Sequence, residues 1–517
     1  MEKTMFRSST RFLCSLKAQQ QHQQQEKQIK QPYNIIISGG GIVGAATLAS
    51  LQLLRSRIRS QSLLDDVSVP PPPYASSLSR LLLADAAPHP SYDAQNIMHQ
   101  LRTVSLTPVS SKLLDKLDCW RRLETKHAYY RIALRHEQLS SPVLPSHQRS
   151  ATFFMRGLLG GGDTTAEPLL EFTDLQRPLG FICYNSELNA ALVNVVEDHK
   201  IIDNNNKNDI QDNLVFESTV ELSSNEIPTN VIDGALGKAV LRKTTGDEDL
   251  EYSLLLGCDG RGSKLRDVLA TETLQHDYAQ TGFVCSVRLE RVDDGNVCCF
   301  QNFFIDGSII AMLPTSEDTA NIIFSTTATH ARELSAASQN DLVEELNKRL
   351  NAFAPRDIPR ILEVPEGTVK GKKMRAQGSF PLKLNFVLRP YSPRCMLLGD
   401  AAHGIHPFAG QGLNLGLYDV CALTEVLEKA IQTGQDIGSV SAVGEPFAAE
   451  MMLHTGTMIT AMEGIHVLLN TVPGLSCIGM KGIQKLPIFS SLGKDFILHV
   501  ASGALFASRH SECFLLS

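Results

Sequence analysis

Short apolar runs that end in glycine or aspartate recur along this 517-residue chain. Each of three such runs is followed by a turn and then by a segment with helical spacing of apolar residues. An apolar run bounded by turn residues is typical of a buried strand, and alternation of strands with helices predicts a parallel α/β sheet. The three predicted strands lie at 33–38, 254–257 and 395–398, and the helices that follow them lie at 45–58, from 264 onward and at 413–427.

A different pattern fills the middle of the chain. Residues 282–330 alternate between apolar and polar positions, which predicts antiparallel strands with one buried face. A helix is predicted at 341–353, and 369–388 is again strand-like. We therefore predict an α+β domain inserted between parts of the α/β domain. From residue 420 onward the pattern predicts mostly helices.

The composition is that of a globular protein, with 43% apolar and 20% charged residues, and the length predicts more than one domain. A formal net charge of -7 argues against nucleic acid as a main partner. Eleven cysteines lie scattered, apart from the adjacent Cys298 and Cys299, so neither a disulfide framework nor a metal site is predicted. No run reaches the length of about 18 apolar residues that a transmembrane helix needs.

The two ends of the chain carry their own signals. The first thirty residues are basic and poor in acids, which is typical of a mitochondrial import signal. The glutamine-rich run at 19–25 favours the alternative of a disordered tail. Near the other end, 484–508 mixes lysines with apolar residues. Such a segment can contact a membrane surface, or it can form ordinary helices packed on the core.

The first strand leads into Gly39-Gly40-Gly41-Ile42-Val43-Gly44, a G-x-G-x-x-G pattern between a strand and a helix. In this context Gly39 makes the tight turn, Gly41 admits a pyrophosphate, and Gly44 lets the helix and strand pack closely. The pattern requires an acid about 20 residues further on. Asp85 follows the next apolar run but lies 41 residues after Gly44. We interpret 59–79, which contains four consecutive prolines, as a surface insertion that leaves Asp85 near the fingerprint in space. The alternative for Asp85 is a turn residue at a strand end.

Two further corners repeat this logic. The strand at 254–257 leads into Cys258-Asp259-Gly260, and the strand at 395–398 leads into Gly399-Asp400 and a turn rich in glycine and proline. A helix that starts at 410–414 would present backbone N–H groups and its positive dipole end to an anionic ligand. The alternative is that these glycines serve only packing.

The three corners, taken in this order, resemble the class A flavin-dependent aromatic hydroxylases, and more closely the ubiquinone hydroxylase family and its mitochondrial branch. The stretches that carry the resemblance are SGGGIVGAATLA, RTVSLTPVSSKLLDKL, GCDGRGSKLR and FPLKLNFVLRPYSPRCMLLGDAAHGIHPFAGQGLNLG. It covers about residues 32–510. The segment EMMLHT at 450–455 departs from it, because relatives tend to have arginine and asparagine there.

The resemblance implies an α/β, Rossmann-like FAD-binding domain of the p-hydroxybenzoate hydroxylase type, an inserted α+β substrate domain and C-terminal helices. It also implies FAD as the cofactor. Gly39, Gly41 and Gly44 would hold the pyrophosphate, Asp85 the adenosine ribose, and Arg102 would lie near the phosphates. Asp259 and Gly260 would lie at the pyrophosphate and reductant side, Asp400 at the ribityl or pyrophosphate region, and the turn that opens the helix at 413–427 would contact the flavin through Pro407, Gly410, Gln411, Gly412 and Asn414.

The predicted domain limits are a transit peptide or disordered segment at 1–31, an FAD-binding domain at 32–120, 176–270 and 386–440, a substrate domain at 121–175 and 271–385, and C-terminal helices at 441–517. Gln301 and Phe303 are predicted to line the substrate pocket. No residue is identified as the catalytic base. His403 and His406 are candidates, but the motif glycines around them favour a positioning role.

The implied activity is hydroxylation of a polyprenylated hydroxybenzoate ring, at C5, by O₂ through a flavin C4a-hydroperoxide. The implied setting is peripheral, on the matrix side of the mitochondrial inner membrane, in a multi-protein ubiquinone-synthesis complex. Electrons would come from ferredoxin and its reductase or from NAD(P)H. Two alternatives stay open: an NAD(P)H-dependent hydroxylase of a small soluble aromatic, and a non-catalytic flavin-binding subunit.

Overall fold

The protein is described by a computed structural model. It describes residues 31–64, 78–96, 98–136, 170–205, 211–222, 236–269, 272–291, 298–353, 358–369, 372–405, 410–470, 504–511 and 513–516. The predicted import signal, most of the proline-containing insertion, His406, Pro407 and most of 484–508 lie outside these residues.

An eight-stranded sheet forms one layer of the molecule, and most of its strands are parallel. Its main path runs β20-β21-β11-β1-β2-β8, with β9 and β10 attached through an antiparallel hairpin to β11. The central strand β1 contains three consecutive isoleucines, Ile35–Ile37, that are fully buried, as expected for a parallel strand covered on both faces. The strands are β1 (Tyr33–Ser38), β2 (Arg80–Ala84), β8 (Gln211–Val215), β9 (Ser218–Glu221), β10 (Gly237–Lys243), β11 (Glu248–Gly257), β20 (Tyr391–Ser392) and β21 (Cys395–Leu397).

A nine-stranded sheet, largely antiparallel, forms a second layer. One of its faces carries Phe283, Ile322 and Phe324, which build a core with two helices that lie against it. Its path is β22-β19-β12-β15-β14-β13-β5-β6, with β16 attached to β12. The strands are β5 (Arg131–His136), β6 (Leu170–Thr173), β12 (Thr273–Leu289), β13 (Cys298–Phe303), β14 (Ile309–Pro314), β15 (Thr319–Thr327), β16 (Ile361–Glu363), β19 (Gln377–Val387) and β22 (His403–Gly404).

A three-stranded sheet lies beside these layers, in the order β3-β7-β4, and a two-stranded hairpin completes the strands. Ile182 and Tyr129 of the small sheet form a separate cluster with Cys299 of the nine-stranded sheet, so the two sheets meet there. The strands are β3 (Thr103–Leu106), β4 (Lys126–Tyr129) and β7 (Gly180–Tyr184), and the hairpin consists of β17 (Glu366–Val369) and β18 (Lys372–Arg375).

The long helices that pack on the eight-stranded sheet carry small and apolar residues toward it. A buried ion pair ties the first of them to the sheet edge, because Arg55 donates to both carboxylate oxygens of Asp212 at 2.8 and 2.7 Å. The helices are α1 (Ile42–Leu64), α2 (Pro108–Lys116), α3 (Asn185–Asn205), α4 (Lys264–Leu269), α5 (Ala328–Ala336), α6 (Gln339–Leu350), α7 (Gly412–Gln432), α8 (Glu445–Asn470) and α9 (Ala504–Arg509).

The predicted fold class is confirmed, and the element limits differ mainly at helix ends. The helix predicted to end at 427 continues to Gln432, because its inward face stays apolar for another turn. The helix predicted at 341–353 is Gln339–Leu350, and Ser338 caps it by accepting from the N–H of Asp341. Within the described residues, no helix is long and apolar enough to cross a membrane.

Candidate FAD-binding site

The carboxyl ends of four parallel strands meet at one edge of the eight-stranded sheet. Ser38 at the end of β1 lies opposite both Gly257 of β11 and Ala84 of β2, and Gly257 lies opposite Leu397 of β21. The glycine fingerprint, Asp85, Asp259 and Asp400 each follow one of these strand ends. Since ligands of open α/β sheets bind at this edge, the structure brings the predicted corners together where a dinucleotide would lie.

The three fingerprint glycines have different surroundings. Gly39 has φ of +109°, and a Cβ there would clash with the carbonyl of Cys258 and lie 2.7 Å from the amide nitrogen of Asp259. A Cβ on Gly44 would clash with the carbonyl of Gly39. A Cβ on Gly41 would meet no atom of the described residues within 4 Å. Gly39 and Gly44 are therefore required by packing inside the protein, whereas Gly41 opens onto space that a pyrophosphate can enter at the start of α1.

Asp85 lies directly beside the fingerprint despite its late position in the sequence. Its carboxylate accepts hydrogen bonds from the backbone N–H of Gly40 and, at 2.6 Å, from that of Ala87. The pairing of β1 with β2 places it there, so the long insertion does not displace it in space. Its assignment to the adenosine ribose stays a prediction.

Arg102 and Asp259 lie at two margins of the site. Arg102 is exposed directly before β3, and it has no ion pair among the described residues. Asp259 caps α4, because its Oδ2 accepts from the N–H of Lys264 at 2.9 Å. Its buried Oδ1 has no hydrogen-bond partner within the described part of the chain. The capping bond accounts for one carboxylate oxygen and leaves the other for a ligand.

Asp400 has a partner that the sequence analysis did not identify. Arg261 donates from Nε to Asp400 Oδ2 at 3.1 Å and from its terminal nitrogen to the carbonyl of Ile405 at 3.0 Å. Both side chains of the ion pair are about one-third exposed. Arg261 lies within GCDGRGSKLR, so the motif contained the residue but did not indicate its contact. The pair joins the corner after β11 to the corner after β21.

The start of α7 is built to accept an anionic or polar group. Gly410 has φ of +61°, and Gln411 at the N-cap makes no side-chain capping hydrogen bond. The Cβ position of Gly412 lies 3.6 Å from Asp400 Oδ1. A helix start without a side-chain cap leaves its first N–H groups for another acceptor. The predicted role of Gly410, Gln411 and Gly412 at the flavin edge is consistent with this geometry.

The side chain of Asn414 makes hydrogen bonds inside the protein, and the assignment of this residue to the cofactor site stays a prediction. The side chain is buried, and its Oδ1 accepts from the N–H of Thr107 at 3.0 Å and from Ser110 Oγ at 2.7 Å. Its Nδ2 donates to the carbonyl of Ser105 at 2.8 Å. These bonds use the amide to tie α7 to the segment after β3. Only the backbone of Asn414 is left to contact a cofactor.

A buried carboxylate lies below the corner at Gly399. Asp419 Oδ2 accepts from the N–H of Gly399 at 2.8 Å and bonds His403 Nε2 at 2.6 Å, and Oδ1 bonds His454 Nε2 at 3.0 Å. Burial alone would lower the pKa of His403, but the charge and hydrogen bond of Asp419 raise it above its usual value. Burial would raise the pKa of Asp419, but the two imidazoles hold it far below its usual value. His403 is therefore part of the protein interior, and a role as catalytic base is not supported by its position.

The predicted pocket residues Gln301 and Phe303 lie on the face of β13 that turns away from the core with α5 and α6. The opposite face carries Cys298 and Phe300, which belong to that core. Gln301 belongs to a row of mostly apolar residues that pair with one another across the sheet on this second face. In strand order the row is Leu134, Gln301, Ala311, Ile323, Val284 and Gly378. Several of them are only partly buried, as expected for a wall that faces a space rather than a packed core.

Comparisons with known proteins show what this chain is similar to. The family described as "FAD binding domain" matches residues 223–439. The ubiquinone biosynthesis monooxygenase COQ6 of Caenorhabditis elegans, a protein named as mitochondrial, is 26% identical over 499 residues, which cover 91% of this chain and 96% of the relative. The human protein of the same name is 25% identical over 460 residues, which cover 85% and 86%.

Solved structures show the same fold. p-Nitrophenol 4-monooxygenase PnpA from Pseudomonas putida has a TM-score of 0.57 at 15% identity, over 92% of this chain and 98% of that one. PqsL from P. aeruginosa, solved with 2-aminobenzoylacetate, has a TM-score of 0.55 at 16% identity, over 85% and 98%.

The fold, the family match and the glycine and carboxylate corners together define an FAD-dependent aromatic-ring monooxygenase. Within that class, the chain is similar over most of its length to the ubiquinone biosynthesis monooxygenases named COQ6. The predicted cofactor and the predicted resemblance are thereby confirmed. The relatives' mitochondrial names support the predicted location in mitochondria.

Proposed function

We propose that this protein hydroxylates the aromatic ring of a polyprenylated hydroxybenzoate intermediate, at C5, during ubiquinone synthesis. The apolar row on the second face of the nine-stranded sheet carries this proposal. A wall of aliphatic side chains with a single amide, Gln301, suits a flat ring with a prenyl chain and one or two polar groups. The names of the relatives place the same type of reaction in ubiquinone biosynthesis.

The residues present fit FAD. Gly41 opens onto free space beside the start of α1, α7 starts without a side-chain cap, and Asp259 Oδ1 is buried with no partner among the described residues. In this arrangement Gly41 and α1 would hold the pyrophosphate, Asp85 the adenosine ribose, and Asp400 the ribityl chain. Gly410, Gln411 and Gly412 would face the pyrimidine edge of the flavin, and Arg102 would serve a phosphate. FAD, when bound, supplies the activation of O₂.

The chain's own residues then position the ring, exclude water and stabilise charge. The N-terminus of α7 would stabilise negative charge on a group held next to it, since a helix start has the positive end of the dipole and free N–H groups. The apolar row keeps the substrate ring in a dry environment, which limits unproductive reaction of activated oxygen with water. The prenyl chain would extend along aliphatic side chains, and this favours a peripheral enzyme on the matrix side of the inner membrane.

The electron donor is proposed to be ferredoxin with its reductase, and NAD(P)H is the alternative that the same experiments test. The proposal also includes membership of a ubiquinone-synthesis complex. Substrate-stimulated oxidation of NADPH by the purified protein would favour the nicotinamide, whereas reduction of bound FAD only by ferredoxin would favour the protein donor.

The test is rescue of a cell that lacks its own enzyme of this type, with quinone intermediates measured by mass spectrometry. We expect the knockout to accumulate an intermediate without one ring hydroxyl and the wild-type chain to restore ubiquinone. A G41A variant, which retains the fold but narrows the pyrophosphate site, should rescue poorly. Full rescue by a variant that binds no FAD would contradict the proposal and would favour a non-catalytic role in the complex.

A further inference from the structure

Asp419 is shared by three donors, two from the corner after β21 and one from α8. One oxygen accepts from the N–H of Gly399 and from His403, and the other accepts from His454 on α8. The side chains of Asp419 and His403 are fully buried, and that of His454 is 6% exposed. A buried carboxylate is stable only when its oxygens are hydrogen-bonded, so the orientation of Asp419 depends on all three donors.

Gly399 makes this carboxylate important for the cofactor corner. It has φ of +58°, and its Cβ position lies 3.1 Å from Val43, the residue before the last glycine of the fingerprint. The next residue is Asp400, which faces the start of α7. The bond from Gly399 N–H to Asp419 therefore fixes the turn that carries Asp400 relative to α1 and α7.

His454 is the member of this network that comes from outside the cofactor corners. Its ring lies edge-on to Phe506, with ring centroids 5.3 Å apart, and edge-on to Tyr418 at 6.1 Å. These contacts fix the direction of its Nε2. Among the described residues, His454 is the donor to Asp419 Oδ1, so its loss would leave that oxygen buried without a hydrogen bond.

We propose that His454 is a positioning residue for FAD. It holds one oxygen of Asp419, which leaves the other oxygen aligned with Gly399 N–H and His403. The turn at Gly399 and Asp400 then keeps the geometry in which Asp400 faces the cofactor. His454 lies too deep in the protein to contact FAD or an aromatic substrate. It acts through Asp419, and Asp419 acts through the backbone of Gly399.

The test compares variants of His454 in the purified full-length chain. Glutamine at this position can reach Asp419 with its Nε2 donor group, asparagine is shorter, and leucine has no donor. We expect H454L to weaken FAD binding about tenfold, which corresponds to about 1.4 kcal/mol, and to shift the reduction potential and visible spectrum of the remaining bound flavin. H454Q should bind FAD within about threefold of wild type. If H454L does not fold, H454N replaces it and should weaken FAD binding in the same direction.

M458A is the matched control, because Met458 is equally buried on the same helix one turn further along and belongs to the main core. It should lower the melting temperature while leaving the flavin potential and spectrum unchanged. The proposal is overturned if H454L keeps wild-type affinity and potential, if H454Q is no better than H454L, or if M458A changes the flavin signals as much. These measurements need no aromatic substrate, so they stand even if the proposed ring hydroxylation is wrong.

Discussion

At the scale of single residues, the fingerprint glycines show that one motif can contain two kinds of requirement. Gly39 and Gly44 are needed because backbone atoms of the protein occupy the space of a side chain. Gly41 has open space around it, so a requirement for glycine at this position would come from a bound ligand. The same motif therefore offers variants that separate folding from cofactor binding.

Replacing Gly44 and Gly41 by alanine should give opposite results. G44A places a methyl group against the Gly39 carbonyl and should lower the free energy of unfolding by about 1–3 kcal/mol. G41A should leave thermal stability of the apoprotein near wild type and weaken FAD binding at least tenfold, about 1.4 kcal/mol. Thermal melts and flavin titrations measure the two quantities. Equal effects of both variants on apoprotein stability would contradict this division.

The His403–Asp419 pair should make stability depend on pH. The pKa of His403 is raised, so its contribution is fully present below its ordinary pKa of 6.5 and is lost as pH rises through the higher folded value. The lowered pKa of Asp419 gives a contribution that is present above 3.8 and lost only in strong acid. Burial lowers the pKa of His454, so this side chain stays neutral down to a lower pH than an ordinary histidine.

D419N should remove this dependence. At pH 6 to 7 we expect the variant to be less stable by about 3–5 kcal/mol, since it leaves a buried imidazolium without its partner. The difference from wild type should shrink as pH is raised toward 9, because wild type loses the same interaction. Urea unfolding at several pH values measures it. A difference that stays constant over this range would show that His403 is not charged in the folded protein.

At the scale of elements, the C-terminal segment packs on the helix that starts at the cofactor corner. Phe506 on α9 stacks on Tyr418 of α7, with ring centroids 4.5 Å apart at 12°. His510 bonds Glu425 of the same helix at 2.7 Å. Cys421 and Cys513 are buried neighbours between them. The last described residues thus complete the buried side of α7 and contact the ring of His454.

Truncation of Phe506 should therefore affect both stability and FAD. F506A should cost about 3–5 kcal/mol of unfolding free energy and also weaken FAD binding, because Tyr418 and His454 lose a fixed neighbour. F514A is the control. Phe514 is similarly buried but packs under Arg57, with its ring centroid 4.9 Å from the guanidinium carbon. F514A should lower the melting temperature without a comparable change in FAD affinity, and equal losses of FAD affinity would contradict the coupling.

At the scale of the whole molecule, the site needs both large sheets. The eight-stranded sheet supplies the corners for FAD, and the second face of the nine-stranded sheet supplies the apolar row. The small sheet joins them, since Ser105 at β3 lies 3.3 Å from the Cβ position of Gly410 and Tyr129 at β4 clusters with Cys299. In the proposed function, substrate selection and cofactor binding therefore use different sheets.

A polar change in the apolar row should impair substrate binding alone. I323Q places an amide in the middle of the row and should raise KM for a prenylated substrate about tenfold, with FAD affinity unchanged. L362Q, on an exposed position of β16 in the same sheet, is the control and should have no effect on KM. Steady-state hydroxylation assays measure both. Unchanged kinetics in I323Q would place the ring elsewhere.

The sequence by itself determined the strand-turn-helix units, the glycine fingerprint, the FAD cofactor and the fold class. The units and the fingerprint are encoded locally, because apolar periodicity and glycine positions act over a few neighbouring residues, whereas FAD and the type of FAD-binding domain were implied by the resemblance of the motifs to a known family. Asp85 shows the limit of such inference: the insertion changed its spacing, and only the pairing of β1 with β2 returned it to the site. The hydrogen bonds of the Asn414 side chain could not be predicted for the same reason, since its partners lie about three hundred residues earlier.

Only the tertiary structure decided the contacts that hold the corners in place. Arg261 meets Asp400 across 139 residues, and His454 meets Asp419 across 35 residues between two helices. A side chain's partner depends on which helix faces pack together, and no local pattern specifies this when the residues are a single charge or a single imidazole in an apolar stretch. Packing decides these partners, because a buried polar or charged group is stable only when the fold places a hydrogen-bond partner next to it.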